Sequence, residues 1–109
     1  MKKDLRKDAI TTFVRKVRDH YHNKIEKIIL FGSYARDELR EESDIDLLVI
    51  TYGKRFETQE ILSGITIDIL LETGVYISAK AVTTEEYDLM KELNTGFYQY
   101  LTREGLMVG

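Results

Sequence analysis

The segment that most constrains the fold is residues 44–51, with the sequence DIDLLVIT. Apart from Asp44 and Asp46 it is apolar on both faces, which is typical of a strand inside a sheet that is covered on each side. Alternate side chains of a strand share a face, so Asp44 and Asp46 are expected to point the same way. The sequence therefore predicts a central strand that begins with two neighbouring carboxylates.

Apolar patterns predict the elements around this strand. Helical spacing predicts a helix over residues 5–21, and a short apolar run favours a second buried strand over 24–31. The remaining expected elements are helices over 34–40, 84–93 and 97–103, a strand over 75–82 and an edge strand over 106–108. This order predicts an α/β (α+β) fold in which a small mixed sheet is flanked by helices.

Length and composition limit the classes of protein that the chain can belong to. Its 109 residues favour one domain, residues 1–109, and 43% apolar residues suffice for a core. A net charge of −3 argues against a broad basic face for duplex nucleic acid. The absence of cysteine excludes disulfides and thiolate metal sites, and no apolar run suggests a membrane span, so we expect a cytoplasmic protein.

A second motif lies close in sequence to the paired aspartates. Gly32-Ser33 ends the strand over 24–31 and precedes the expected helix, so backbone N–H groups and a hydroxyl are presented to an anion. Two neighbouring carboxylates repel each other unless a cation lies between them, and hard oxygen ligands favour Mg²⁺ or Mn²⁺. A phosphate site beside such a metal site is suited to phosphoryl or nucleotidyl transfer.

These residues resemble the signature of the nucleotidyltransferases of the DNA polymerase beta superfamily. Phe31-Gly32-Ser33 matches the first part of that signature, and Asp44-Ile45-Asp46 matches the second after a spacer of ten residues. The length and the preceding helix resemble the minimal nucleotidyltransferases of that superfamily. The resemblance implies a polymerase-beta-palm-like fold.

The resemblance also implies roles for individual residues. Asp44 and Asp46 would be the catalytic residues and would bind Mg²⁺ or Mn²⁺. Gly32 and Ser33 would hold the β- and γ-phosphates of a nucleoside triphosphate, with ATP expected. Arg36 would reach a phosphate or form a surface ion pair.

The family normally supplies a third carboxylate from a neighbouring strand, and two layouts of this chain compete for that position. Asp68 would supply it if residues 65–70 formed a strand, but it lies only 22 residues after Asp46. That leaves little room for the crossover that a parallel pair needs. If residues 56–73 instead form a helix, Tyr76 or Ser78 occupies the third position. We favour this second layout, which leaves the site with two carboxylates.

Two functions follow from the resemblance. The first is transfer of a nucleoside monophosphate, with AMP expected, to an acceptor hydroxyl. The protein would then be similar to antitoxins that pair with a helical HEPN-type RNase toxin. The second is a catalytically impaired module of the same fold that neutralises or scaffolds a partner protein. A homodimer through the aromatic cluster near residues 97–101 is a further expectation, and that cluster is alternatively core or a surface for another partner.

Overall fold

The computed structural model describes residues 5–32 and 45–109, and the elements there follow the predicted order. The predicted helix over 34–40 lies outside the described residues. The elements are α1 (Leu5–Tyr21), β1 (Ile25–Phe31), β2 (Ile45–Thr51), α2 (Arg55–Thr73), β3 (Ile77–Thr83), α3 (Thr84–Glu92), α4 (Gly96–Glu104) and β4 (Leu106–Met107), with a 3-10 turn at His22–Lys24 between α1 and β1.

The strands form a four-stranded mixed sheet in the order β3-β2-β1-β4. β1 runs antiparallel to both β2 and β4, whereas β2 and β3 are parallel. The apolar strand β2 therefore lies inside the sheet, as its sequence predicts. The mixed sheet flanked by helices is confirmed.

Alternation along the strands divides the core into two layers. On one face, Ile28 and Leu47 are buried against α1 and α2, which contribute Phe13 and Leu62. On the other face, Leu48 is buried against α3 and α4. The first face is called the α1/α2 face below, and the second the α3/α4 face.

The ambiguous segment is the helix α2, as the favoured layout predicts. It provides the crossover between the parallel strands β2 and β3, and such connections need about a dozen residues or more. The strand interpretation is wrong because the alternation of isoleucines does not correspond to burial: Ile69 is fully buried, whereas Ile67 is 55% exposed.

Gln59 of α2 covers the backbone of the outer strand β3. Its side-chain Nε2 donates to the Ala79 carbonyl at 2.9 Å, and its Oε1 accepts from the Ala81 N–H at 2.8 Å. One amide side chain thus satisfies a donor and an acceptor that a neighbouring strand would otherwise pair.

Thr83 begins α3 with the predicted capping box. Its hydroxyl accepts from the Glu86 N–H at 3.1 Å, and the Glu86 carboxylate accepts from the Thr83 N–H at 3.0 Å. Both interactions satisfy backbone donors at the helix start. The direction in which α3 leaves β3 is therefore set by local sequence.

Candidate functional site

Asp46 lies on the α3/α4 face of the sheet near the beginning of β2. The buried Leu48 shares its face, whereas Ile45 and Leu47 face the opposite core. Asp46 is half-buried and is in register with Phe31 on β1 and Ser78 on β3. Its carboxylate is therefore placed at the point where β1 ends and β3 begins.

Gly32 follows β1 directly and lies against this carboxylate. Its φ of 82° is in the left-handed region that residues with a side chain rarely adopt. A Cβ atom at this position would clash with Oδ2 of Asp46 and would lie 3.2 Å from its Cγ. The predicted association of the glycine motif with an aspartate of the second motif is therefore present, and both the backbone angle and the close approach require glycine.

The N–H of Gly32 has a protein partner. It donates to the hydroxyl of Tyr100 in α4 at 3.1 Å. Anion binding by this turn stays a prediction, and the N–H of Gly32 itself is engaged by Tyr100. The contact joins residues 68 positions apart, and no local pattern in the sequence indicates it.

The aromatic residues of α4 pack beside this turn. The ring of Phe31 contacts those of Phe97 and Tyr100 edge to face, with centroids 5.5 and 6.4 Å apart. Leu101 is buried in the core of the α3/α4 face. The C-terminal aromatic cluster is therefore partly core, as one of its interpretations predicts, and it supports the candidate site.

The third position of the site is occupied by Ser78, which pairs with Asp46 in the parallel ladder. Tyr76 precedes β3 and is 59% exposed. Asp68 lies in α2, on the opposite side of the sheet from Asp46, and is exposed. The described part of the neighbouring strand therefore places no carboxylate beside Asp46, and Lys80, two residues beyond Ser78, adds an exposed cation there.

Of the predicted site residues, the structure brings Gly32 and Asp46 together. Ser33, Arg36 and Asp44 lie outside the described residues. Within residues 5–32 and 45–109, no group of three or more histidine, aspartate or glutamate side chains could hold a metal ion. Asp46 carries a carboxylate, the kind of hard oxygen group that Mg²⁺ prefers as a ligand, so its chemistry fits the expected metal.

Comparison with known proteins identifies relatives along most of the chain. The model of the nucleotidyltransferase domain family matches residues 10–100. A protein of Methanocaldococcus jannaschii named "Putative protein adenylyltransferase MJ0604" is 37% identical over 97 residues, which are 89% of this chain and 91% of the relative. Another from that organism, "Putative protein adenylyltransferase MJ1305", is 32% identical over 90 residues, 80% of this chain and 60% of the relative.

A solved structure has the same fold. The crystal structure described as a putative nucleotidyltransferase from Sulfolobus solfataricus superposes with a TM-score of 0.59, covers 98% of this chain and 87% of its own, and is 18% identical. In the described part of the chain, no helix has both the length and the apolar character needed to cross a membrane.

Proposed function

Because this chain belongs to the nucleotidyltransferase domain family, we propose that it transfers AMP from ATP to an acceptor hydroxyl with the help of Mg²⁺. The observation that carries the proposal is the contact between Gly32 and the Asp46 carboxylate at the adjoining ends of β1 and β2. This contact brings together one residue of the glycine-serine motif and one residue of the motif with the paired aspartates. The relatives named as adenylyltransferases support AMP as the transferred group.

In this proposal each motif residue has one role. Asp46 and Asp44 bind the cation, and Gly32 and Ser33 form the turn that receives the β- and γ-phosphates. Arg36 binds a phosphate oxygen. A bound Mg²⁺ neutralises the charge that develops on the triphosphate and aligns the attacking and leaving oxygens.

We propose a protein as the acceptor. The names of both Methanocaldococcus relatives describe transfer to proteins, which supports this choice. The resemblance to minimal nucleotidyltransferases suggests a HEPN-type toxin as the acceptor-bearing partner. In the reaction, the acceptor hydroxyl forms a bond to the α-phosphorus of ATP and loses its proton, while the bond to the pyrophosphate leaving group breaks.

Label transfer from α-³²P-ATP in a lysate of the source cells tests the enzyme. The wild type and an Asp46→Asn variant would be compared with and without Mg²⁺. We expect a labelled macromolecule with the wild type and at least about a hundredfold less label with Asp46→Asn, because the variant loses a metal ligand. Asp68→Asn is the matched control and should label as the wild type does, since Asp68 lies on the other side of the sheet. Equal labelling by Asp46→Asn would contradict the site.

The presence of Ser78 in register with Asp46 supports a second candidate function, namely a binding module with little or no catalytic turnover. With Ser78 rather than a carboxylate beside Asp46, the site has one ligand fewer for the metal that activates an acceptor hydroxyl. Such a protein would bind MgATP and neutralise or scaffold its partner by contact. Absence of labelled product from the wild type, together with MgATP binding in equilibrium dialysis, would favour this function.

A matched pair of variants separates the two functions further. Ser78→Asp restores a carboxylate in register with Asp46, whereas Tyr76→Asp places one before β3. If the module is impaired for lack of this ligand, Ser78→Asp raises label transfer and Tyr76→Asp does not. An equal effect of the two substitutions would show that the register position is not what limits turnover.

A further inference from the structure

We propose that Tyr100 is a positioning residue for nucleotide binding, and this inference rests on the proposed function. Its hydroxyl accepts the Gly32 N–H at 3.1 Å and so holds the turn that receives the β- and γ-phosphates. Tyr100 comes from α4, far along the chain from the phosphate and metal motifs. The hydrogen bond thus makes the C-terminal helix part of the nucleotide site.

The turn needs such an anchor because its first residue is a glycine. Glycine adopts positive and negative φ about equally well, so nothing within the residue itself selects the observed φ of 82°. The Tyr100 hydroxyl fixes the amide of Gly32 and thereby favours the conformation in which the residue lies against Asp46. A turn held in advance binds phosphate without the cost of being ordered on binding.

The hydroxyl is itself held in place by packing. The Tyr100 ring meets Phe31 edge to face with an interplanar angle of 88°. The next residue of α4, Leu101, is 3% exposed and anchors the helix on the sheet. Because Phe31 directly precedes Gly32, the ring and the hydroxyl of Tyr100 hold two consecutive residues of the site.

Tyr100 acts on the nucleotide through the turn. The Gly32 N–H is already engaged by the hydroxyl, and in the proposed function it is Ser33 that contacts the phosphate. The effect of Tyr100 is therefore expected for ligands that carry β- and γ-phosphates. It is not expected for AMP, which has neither phosphate.

Calorimetric titration of ATP and AMP in the presence of Mg²⁺ tests this difference. We expect Tyr100→Phe to weaken ATP binding about fivefold, which corresponds to about 1 kcal/mol for one neutral hydrogen bond, and to leave AMP binding unchanged. Tyr98→Phe is the matched control on the same helix. The Tyr98 ring meets the Tyr87 ring edge to face with centroids 5.8 Å apart, and loss of the Tyr98 hydroxyl should change the binding of neither ATP nor AMP.

The amide resonance of Gly32 gives a readout that needs no nucleotide. In Tyr100→Phe, the Gly32 amide proton should move upfield and exchange faster with solvent, while Tyr98→Phe should leave it unchanged. An unchanged Gly32 amide would overturn the proposal. Equal weakening of ATP and AMP by Tyr100→Phe would also overturn it, since that result indicates general loosening of the site.

The binding data also separate this proposal from the function on which it rests. If the wild type binds ATP no more tightly than AMP, the proposed function fails and the role of Tyr100 fails with it. If the wild type prefers ATP and Tyr100→Phe retains the whole preference, Tyr100 has no such role and the proposed function stands.

Discussion

Three glycines of this chain differ in backbone angle and in the space around them. Gly32 has a left-handed φ of 82° and lies against the Asp46 carboxylate. Gly74 ends α2 with a similar φ of 76° but has no atom within 4 Å of a Cβ placed there. Gly64 lies within α2, and a Cβ placed there also meets no atom within 4 Å. Substitution by alanine at these positions therefore separates backbone strain from steric clash.

We expect the three alanine variants to differ in sign and size. Gly64→Ala should raise the free energy of unfolding by about 0.5–1 kcal/mol, because alanine is the better residue inside a helix. Gly74→Ala should lower it by about 1–2 kcal/mol through left-handed strain alone. Gly32→Ala should cost more than Gly74→Ala, since its Cβ also displaces Asp46. Urea unfolding followed by circular dichroism measures all three, and an equal cost at Gly32 and Gly74 would contradict the close approach.

The sequence predicts part of this site and not the rest. Gly32 and Asp46 belong to motifs whose chemistry is local: a glycine where phosphate approaches the backbone, and a carboxylate at a strand's start. Tyr100 has no such signal, because it is one of seven tyrosines and its contact depends on how α4 docks. Tertiary packing alone brings its hydroxyl to Gly32.

Among the elements, the contact between α2 and β3 has the clearest energetic consequence. β3 is the outer strand at one side of the sheet, and the Gln59 amide bonds both the Ala79 carbonyl and the Ala81 N–H. Without this side chain, those two groups lose their partner. An unpaired strand edge of this kind favours pairing with another chain.

We expect Gln59→Ala to lower the free energy of unfolding by about 1–3 kcal/mol, as the loss of partners for partly buried backbone groups predicts. It should also increase self-association, which analytical ultracentrifugation measures. Gln99→Ala is the matched control. The Gln99 side chain makes one exposed hydrogen bond, to the Asn94 carbonyl at 2.9 Å, so its removal should cost less than about 0.5 kcal/mol. Equal losses for the two variants would contradict a special role of Gln59.

The order of the elements could be predicted because most of them carry one clear pattern. The exception is α2, where Ile65, Ile67, Ile69 and Leu71 also fit a strand. Periodicity alone cannot resolve this segment, because a helix that is apolar on several sides contains accidental alternation. What resolves it is topology: a strand over residues 65–70 that ran parallel to β2 would leave only residues 52–64 for the crossover helix and its loops.

At the scale of the whole molecule, the stability at high pH depends on a tyrosine in the core of the α3/α4 face. Burial raises the pKa of Tyr87 above its usual value, and the nearby Tyr98, Glu26 and Asp88 raise it further. The neutral phenol is therefore the form that the folded protein favours.

The sign of the pH dependence follows from this shift. Well below pH 10, the tyrosine is neutral in both the folded and the unfolded chain. As the pH rises through 10, it ionises first in the unfolded chain, so stability falls until the folded-state pKa is passed. We expect this one group to lower the free energy of unfolding by up to about 1.4 kcal/mol per pH unit in that window.

Urea unfolding between pH 8 and 12 measures the effect by comparison with Tyr87→Phe. The variant should lose stability less steeply than the wild type above pH 10, because phenylalanine cannot ionise. Tyr52→Phe, at a position that is 61% exposed, is the control and should retain the wild-type slope. Identical slopes for wild type and Tyr87→Phe would contradict the burial argument.

The way β4 is attached to the sheet indicates when this strand pairs and when it detaches. β4 lies near the end of the chain and pairs with β1, which lies near its beginning. Hydrogen bonds between Val108 and Ile28 and between Ile28 and Gly109 extend this pairing. Closing so long a loop is entropically costly and is repaid by a strand of two residues. We therefore expect β4 to be the last strand to pair during folding and the first to detach during local unfolding of the native protein. Before β4 pairs and after it detaches, the outer edge of β1 is then available for pairing with an extended peptide.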